Sequence, residues 1–275
     1  MGRSIVVVDR NPEAMRWRGR AVQQPNALLI TEPIRLELVR VPAGEFLMGS
    51  HPAVDREAAK GELPQHRVYV AEFYLGKVPV TNAQYAAFVQ SAGYKAPPYW
   101  DQEGFPADKG DHPVVQVSWR DARAFCDWLS QVTGLNFRLP TEAEWEKTAR
   151  GANGRTYPWG HRWPEAELCN YEMLVGRTTP VGAYPGNASP YGALDMAGNA
   201  GEWTSSLYWP YPYRADDGRE DPAAEGVRVV RGGAYNLTRW NARCACRLRY
   251  PPDRRSSHDG FRVAASVDPH ARRAI

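Results

Sequence analysis

Cysteine is the residue type here with the widest choice of chemistry, because a thiolate can act as a nucleophile, bind a soft metal ion or form a disulfide. The four cysteines are Cys126, Cys169, Cys244 and Cys246. If Cys244 and Cys246 lay on one strand, their thiols would share a face and could hold one soft ion, whereas a disulfide over so short a span would be strained. The spacing fits neither a zinc site nor a disulfide framework. We therefore interpret all four as small buried or half-buried thiols.

Histidine spacing and net charge exclude several other classes of function. No two of the six histidines stand at the i, i+4 spacing that places two imidazoles on one helix face. The net charge of +3 is too small to predict nucleic-acid or membrane binding. No apolar run reaches the roughly eighteen residues of a membrane-spanning helix, and residues 5–8 are too short for a signal peptide. We therefore expect a cytoplasmic protein without a nucleic-acid or membrane partner.

Three helices are predicted by their capping residues. Each begins with Ser or Thr followed three residues later by Gln, Asp or Glu, which is the spacing of a capping box or a near variant of it. The pairs are Thr81 with Gln84, Ser118 with Asp121, and Thr141 with Glu144. Gly93, Gly134 and Gly151 predict where the helices end. Cys126 lies on the apolar stripe of the second helix, which predicts a core position.

Strands are predicted near both ends of the main region. Residues 36–41, 46–50 and 66–75 alternate apolar with polar side chains and predict an early antiparallel sheet. Residues 227–231 and 260–264 predict two late strands that bracket an arginine-rich segment. Between the helices and these strands, residues 152–226 contain turn sequences and no readable helix. Because compact domains avoid structureless segments of this length, we expect buried aromatic rings or bound metal to hold it.

Length and composition predict one large, loop-rich domain. The chain has 275 residues, of which 43% are hydrophobic, and it contains 24 Gly, 23 Pro and 10 Trp. A chain of this length can bury a substantial core, and large rings fill an interior with few regular elements. Residues 1–34 are polar and weakly periodic, so we interpret them as an N-terminal extension with a short strand at most. Residues 35–275 form the predicted domain.

Ten sequence blocks in one order resemble the formylglycine-generating-enzyme (sulfatase-modifying factor) family. They are residues 41–49, 62–68, 80–85, 112–119, 137–146, 157–160, 192–199, 202–204, 231–235 and 260–262. The last two read Arg231-Gly232-Gly233-Ala234-Tyr235 and Gly260-Phe261-Arg262. The resemblance covers residues 36–265. It implies an α+β fold of the C-type lectin type with little regular secondary structure.

The resemblance also implies copper chemistry that can be checked residue by residue. Enzymes of this family oxidise a substrate cysteine with copper held by two cysteines just after the block that matches residues 231–235. Here Leu237 stands at the first position, and residues 239–242 contain no cysteine. Cys244 and Cys246 come too late in the segment. We therefore expect no copper and lean towards a non-enzyme; the alternative is a copper-dependent formylglycine-generating oxidase acting on peptide cysteine. The family's iron-dependent sulfoxide synthases use histidines of an additional helical domain, which we do not expect here.

Residues 234–259 resemble the shorter segment of bacterial and phage relatives, including the variable proteins of diversity-generating retroelements. In those proteins a framework scaffolds solvent-facing positions that bind ligand. The framework arginines here are Arg231, Arg243, Arg247, Arg255 and Arg262, which we expect to tie loop carbonyls together. The intervening positions are Tyr235, Asn236, Thr238, Trp240, Asn241, Leu248, Arg249, Tyr250, Arg254, Ser256, Ser257 and His258. This mixture is typical of a binding surface. We predict a non-catalytic domain that binds a protein or small-molecule ligand there; the alternative is an ordinary surface with Trp240, Leu248 and Tyr250 in the core.

One calcium site is implied by the resemblance. The family binds calcium through a carboxamide or carboxylate, two backbone carbonyls and a glutamate, which match Asp195, Gly198, Ala200 and Glu202. These are the hard oxygen ligands that calcium prefers, and an ion would stabilise a turn-rich segment. Gly201 stands where relatives usually have a larger residue. Asn170 and Tyr171 match the start of a second family calcium site, but its remaining ligands have no match in this sequence. The alternative is that these turns bind no ion.

Overall fold

A computed structural model of the chain describes residues 3–6, 20–24 and 26–266. The strands in this part are β1 Arg3–Val6, β2 Arg20–Gln24, β3 Ala27–Ile30, β4 Leu36–Val41, β5 Gly44–Met48, β6 His66–Val70, β7 Phe73–Gly76, β8 Asn136–Arg138, β9 Gly201–Leu207, β10 Arg228–Arg231, β11 Leu248–Tyr250, β12 Asp259–Phe261 and β13 Ala264–Ser266. The helices are α1 Asn82–Ala92, α2 Trp119–Thr133 and α3 Glu142–Arg150. The predicted α+β class is confirmed, and none of these helices is long and apolar enough to cross a membrane.

Within the described part of the chain, the strands form three sheets. The largest has the order β1-β2-β3-β4-β7-β13-β8, and all of its pairs are antiparallel. A second sheet has the order β11-β10-β9-β12, with β12 parallel to β9. The third is the β5-β6 hairpin. The final strands therefore belong to two different sheets: β12 lies at an edge of one, and β13 lies inside the other.

The residues before the predicted domain contribute more structure than expected. β1, β2 and β3 all precede residue 35, so the prediction of a short strand at most was wrong. β3 pairs with β4, with Leu28 opposite Leu38, and both Leu28 and Ile30 are buried. Ala27 and Leu29, the other two residues of β3, are apolar as well. The strand therefore lacks the alternation of polar and apolar residues that predicts strands. The domain boundary after residue 34 stays a prediction.

The three predicted helices are confirmed, together with their capping boxes. In each, the hydroxyl of the N-cap residue accepts from a backbone N–H three residues on, and that residue's side chain accepts from the N-cap N–H. For α3, the Thr141 N–H donates to Glu144 Oε2 at 2.8 Å. Gly93 and Gly134 end α1 and α2 with φ of 61° and 68°, a left-handed conformation that glycine adopts easily.

Two apolar clusters fill the space between these elements. The first packs α1 and α2 against strands of both larger sheets, and it includes Tyr85, Phe125, Trp203 and Phe261. Cys126 belongs to this cluster and is buried, which confirms its predicted core position. The second cluster packs Trp145 of α3 against strands of the hairpin and of the largest sheet. These aromatic side chains supply the large buried volume that the tryptophan content predicted.

Other strands fall where the sequence indicated none. β9 crosses the turn-rich region, and six of its seven residues are buried. A strand buried on both faces shows no alternation of polar and apolar residues. β8 and β11 each have only three residues, too few for a pattern to appear. The predicted strand at residues 66–75 is divided into β6 and β7, which pair with β5 and β4 respectively.

Candidate functional site

The segment between β10 and β12 is fixed to the fold by the framework arginines. Arg231 is fully buried, and its guanidinium donates to the carbonyl oxygens of Cys244 at 3.0 Å and Cys246 at 2.9 Å. It also donates to Glu146 Oε2 at 2.5 Å, and its Nη2 lies 3.0 Å from Glu142 Oε1. Two carboxylates on α3 therefore hold the cation, while the cation holds the backbone of the segment.

The other framework arginines act in the same way. Each pairs with a carboxylate and donates to a loop carbonyl of the segment or its surroundings. Arg247 binds Glu142 and the carbonyls of Gly61 and Trp209, Arg243 binds Glu62 and the carbonyl of Trp240, Arg255 contacts Asp121 and the carbonyl of Gln116, and Arg262 binds Glu202 and the carbonyls of Gly76 and Leu194. The structural role predicted for these arginines is confirmed.

The two late cysteines are buried, as interpreted from the sequence, and they lie in a turn, so the strand geometry that would place both thiols on one face is not formed. The Cys246 N–H donates to the carbonyl of Arg243 at 3.0 Å, and Arg231 fixes the carbonyls of both cysteines. Burial raises the pKa of Cys244 to about 12 and of Cys246 to about 11. Both side chains are therefore thiols at neutral pH while no metal is bound.

Trp240, a predicted binding residue, forms an aromatic pair at the surface. Its ring meets that of Trp163 edge to face, with centroids 5.1 Å apart. The guanidinium carbon of Arg239 lies 5.0 Å from the Trp240 centroid and 5.4 Å from that of Trp163. Such contacts hold the side chains in one geometry while leaving the pair open to solvent.

An exposed apolar segment continues this surface. The N–H groups of Glu172 and Met173 donate to the carbonyls of Leu237 (2.9 Å) and Tyr235 (2.7 Å), so residues 172 and 173 run beside the predicted binding segment. The exposed fractions are 48% for Trp163, 55% for Met173, 53% for Leu174 and 46% for Val175. We call the surface formed by Trp163, Met173, Leu174, Val175, Arg239 and Trp240 the aromatic face. The sequence interpretation included only Trp240, although three consecutive apolar residues in a turn region were a signal for the rest.

A second group of predicted binding residues surrounds His258. Its Nδ1 lies 2.8 Å from Ser256 Oγ and 3.1 Å from Asn236 Nδ2. Asn236 and Ser257 are exposed, His258 is half-buried, and Ser256 is buried. Between the two groups, Tyr235 is half-buried, and the Thr238 hydroxyl donates to Asn241 Oδ1 at 3.0 Å.

The remaining predicted residues lie on β11 or just after it, at the edge of the four-stranded sheet opposite β12. Leu248 and Tyr250 are half-buried and pack against the first apolar cluster, as the alternative interpretation expected for these two. Arg249 is exposed and lies over the Tyr208 ring, at 4.6 Å from its centroid. Arg254 lies 3.4 Å above the Tyr250 ring. The structure therefore places the predicted residues in several neighbouring groups rather than in one pocket.

The predicted calcium ligands include one oxygen that has no partner among the described residues. Asp195 is buried with φ of 55°, and its Oδ2 accepts from the Gly182 N–H at 2.6 Å, but its Oδ1 accepts no hydrogen bond. Glu202 differs, because both of its oxygens accept from Arg262 at 2.6 Å, and Oε2 also accepts from Trp145 Nε1. Asp195 therefore fits a cation, while the charge of Glu202 is already balanced.

The start of the second predicted calcium site lies beside the first. Asn170 is buried, and its Oδ1 also has no hydrogen-bond partner within the described residues. The Asn199 N–H donates to the Asn170 carbonyl at 2.8 Å. A Cβ on Gly198 would lie 2.4 Å from that carbonyl oxygen, which explains the glycine. The structure thus brings two unpaired oxygen acceptors into one turn region.

Comparison with known proteins agrees with this architecture. The sequence model of one protein family, the sulfatase-modifying factor enzyme 1-like domain, matches residues 31–267. The chain is 33% identical over 268 residues to the hercynine oxygenase of Mycolicibacterium smegmatis, covering 83% of this chain but only 61% of that protein. It is 31% identical over 290 residues to the formylglycine-generating enzyme of Bos taurus, covering 83% of this chain and 74% of the enzyme. The structure of Treponema denticola variable protein 1 superimposes with a TM-score of 0.69 at 24% identity, covering 85% of this chain and 96% of that one. The chain belongs to the formylglycine-generating-enzyme (sulfatase-modifying factor) family and has its C-type-lectin-like fold.

Proposed function

We propose that this chain is a non-catalytic member of its family that binds a protein or small-molecule ligand through residues 234–259 and the adjoining aromatic face. The observation that carries this proposal is the surface pair of the exposed Trp163 and the half-buried Trp240, with Arg239 over both rings. Clustered aromatic and arginine side chains dominate binding energy at protein interfaces. Trp163, Met173, Leu174 and Val175 are exposed apolar residues of the kind that mark interaction sites when they lie together.

The scaffold beneath this surface supports a binding role. The framework arginines hold the backbone through buried carboxylates and carbonyls, so exposed side chains such as Asn236 and Arg249 contribute little to the fold. Their identity can change without loss of the structure. This separation of framework and surface is what a variable protein of a diversity-generating retroelement requires, and we propose that class for this chain.

The alternative function is copper-dependent oxidation of a peptide cysteine. Similarity to the formylglycine-generating enzyme favours it. Against it, Leu237 replaces the first family cysteine, and Cys244 and Cys246 come too late in the segment. Incubation with copper(I), oxygen and a cysteine-containing sulfatase peptide tests it by mass spectrometry. Conversion of the peptide cysteine to an aldehyde by the chain, but not by its Cys246→Ser variant, would show that the protein is an enzyme.

The binding proposal is tested by replacing the two tryptophans of the aromatic face. A random peptide library is panned on the purified chain, and the affinity of enriched peptides is measured by calorimetry. We expect the double variant Trp163→Ala/Trp240→Ala to bind at least about tenfold more weakly, because two aromatic anchors are lost. Its melting temperature should stay within a few degrees of the wild type. Trp209→Ala is the matched control, since Trp209 is also partly exposed but lies outside the aromatic face. Equal binding by the double variant would contradict the proposal.

A further inference from the structure

Asp259, the first residue of β12, is a buried carboxylate without a partner. Its exposed fraction is 1%, and neither carboxylate oxygen has a hydrogen-bond partner within the described residues. Buried polar groups in proteins are nearly always hydrogen-bonded, and an unpaired buried charge is among the least favourable arrangements. The residue therefore calls for a partner that the described part of the chain does not supply.

The neighbour of Asp259 on the parallel strand β9 is a glycine. A Cβ on Gly201, which pairs with Asp259 across the parallel strands, would lie 2.7 Å from Asp259 Oδ1. The same Cβ position is 3.0 Å from a methyl group of Val230 and 3.4 Å from the carbonyl oxygen of Gly233. The glycine thus makes room for the carboxylate, and Val230 and the Gly233 carbonyl line the same space beside Gly201. Donors on a ligand would satisfy both carboxylate oxygens.

Two groups of candidate binding residues meet around this carboxylate. Arg254, His258 and the Ser256 hydroxyl all influence the Asp259 carboxyl, but none forms an ion pair or a well-formed hydrogen bond with it. The Arg254 guanidinium lies over the Tyr250 ring, and the His258 Nδ1 lies beside Ser256 and Asn236. Burial raises the pKa of the Asp259 carboxyl, as expected for an acid that lacks a bound counterion.

We propose that Asp259 binds a cationic group of the ligand, either a primary ammonium or a guanidinium. This inference rests on the proposed binding role of residues 234–259 and names the chemistry of one part of the ligand. The cation supplies the donors and the charge that both Asp259 oxygens lack, and the Gly233 carbonyl accepts an additional hydrogen bond. The chain next to Asp259 reaches the surface at Ser257 and His258, so a rearrangement of these polar side chains gives access to the carboxylate.

The experiment uses n-butylammonium and n-butylguanidinium as probes, with neutral n-butanol for comparison. Binding is followed by NMR chemical shifts of the isotope-labelled chain. We expect saturable binding of at least one cation to the wild type and none of n-butanol. Asp259→Asn should weaken cation binding at least about tenfold, because a carboxamide keeps the shape but removes the charge. Gly201→Ala should also weaken it, since the methyl group intrudes on the carboxylate.

Asp253→Asn is the matched control, because Asp253 is an exposed carboxylate of the same segment that pairs with Arg120. The affinity of the Asp253→Asn variant for the probes should equal that of the wild type. Equal cation binding by wild type and Asp259→Asn would overturn the inference, as would cation binding no better than that of n-butanol. Either result leaves the loss of peptide binding in the Trp163/Trp240 variant unaffected, so the failure of this inference and that of the proposed function are distinguishable.

Discussion

Arg231 joins the scaffold to the candidate binding segment through a single side chain. Replacing it by methionine keeps most of the volume but leaves Glu146 and Glu142 short of one counterion and frees the carbonyls of Cys244 and Cys246. We expect a loss of about 3–5 kcal/mol in the free energy of unfolding, the range for breaking a buried ion pair. Urea denaturation measures it. Arg67→Met is the control, because the exposed Arg67–Glu45 pair should change stability by less than about 1 kcal/mol. Similar values for both variants would show that the buried network contributes little.

Individual residues differed in how far the sequence revealed them. The framework arginines were predictable because a guanidinium between irregular loops needs carbonyl and carboxylate acceptors, and the structure shows both around Arg231 and Arg247. Trp163 was missed because its contact with Trp240 joins positions far apart in the chain. The position of Asp259 beside Gly201 was hidden for the same reason, since the pairing of β12 with β9 creates it.

Helix α3 is the element that links the ion network to the core. It provides Glu142 and Glu146 to the arginines and Trp145 to the second apolar cluster. Thr141→Ala removes the hydroxyl that accepts from the Glu144 N–H, so we expect a loss of about 1 kcal/mol in the free energy of unfolding. Ser91→Ala on the exposed surface of α1 is the control and should change stability by no more than about 0.5 kcal/mol. Equal losses in thermal or urea denaturation would argue against a stabilising cap.

Helices were predictable here and several strands were not, because a helix start is set by neighbouring residues whereas a strand depends on partner strands elsewhere in the chain. The start of α3 is set within four consecutive residues by a capping box. By contrast, β9 is defined by partners on both sides, β10 and β12, which lie far along the chain. Its burial on both faces removes the alternating pattern. Among the strands before residue 35, β3 pairs with β4, and β2 pairs in turn with β3.

For the molecule as a whole, calcium is the expected source of order in the turn-rich region. Asp195 Oδ1 and Asn170 Oδ1 lack partners among the described residues, and an ion bound there would join turns that share few backbone hydrogen bonds. We expect calcium at a hundredfold excess over its Kd to stabilise the chain by about 2.7 kcal/mol relative to EGTA. Differential scanning calorimetry measures the shift. Asp195→Ala should remove the difference between calcium and EGTA, whereas Asp216→Ala, at an exposed carboxylate, should keep it. A wild-type melting temperature that is the same in both buffers would show that calcium is not bound.

The place of β13 between β7 and β8 has a consequence for how the chain is made. A ribosome releases β7 and β8 long before residues 264–266, so the largest sheet stays divided into two parts with open edges until β13 has been made. β9 likewise waits for β12 to complete its pairing. Open edges of this kind invite pairing with other nascent chains, and contacts between distant residues form slowly. The newly synthesised protein should therefore depend on chaperones until β12 and β13 emerge, and loss of these two strands should be far more harmful than loss of the edge strand β1.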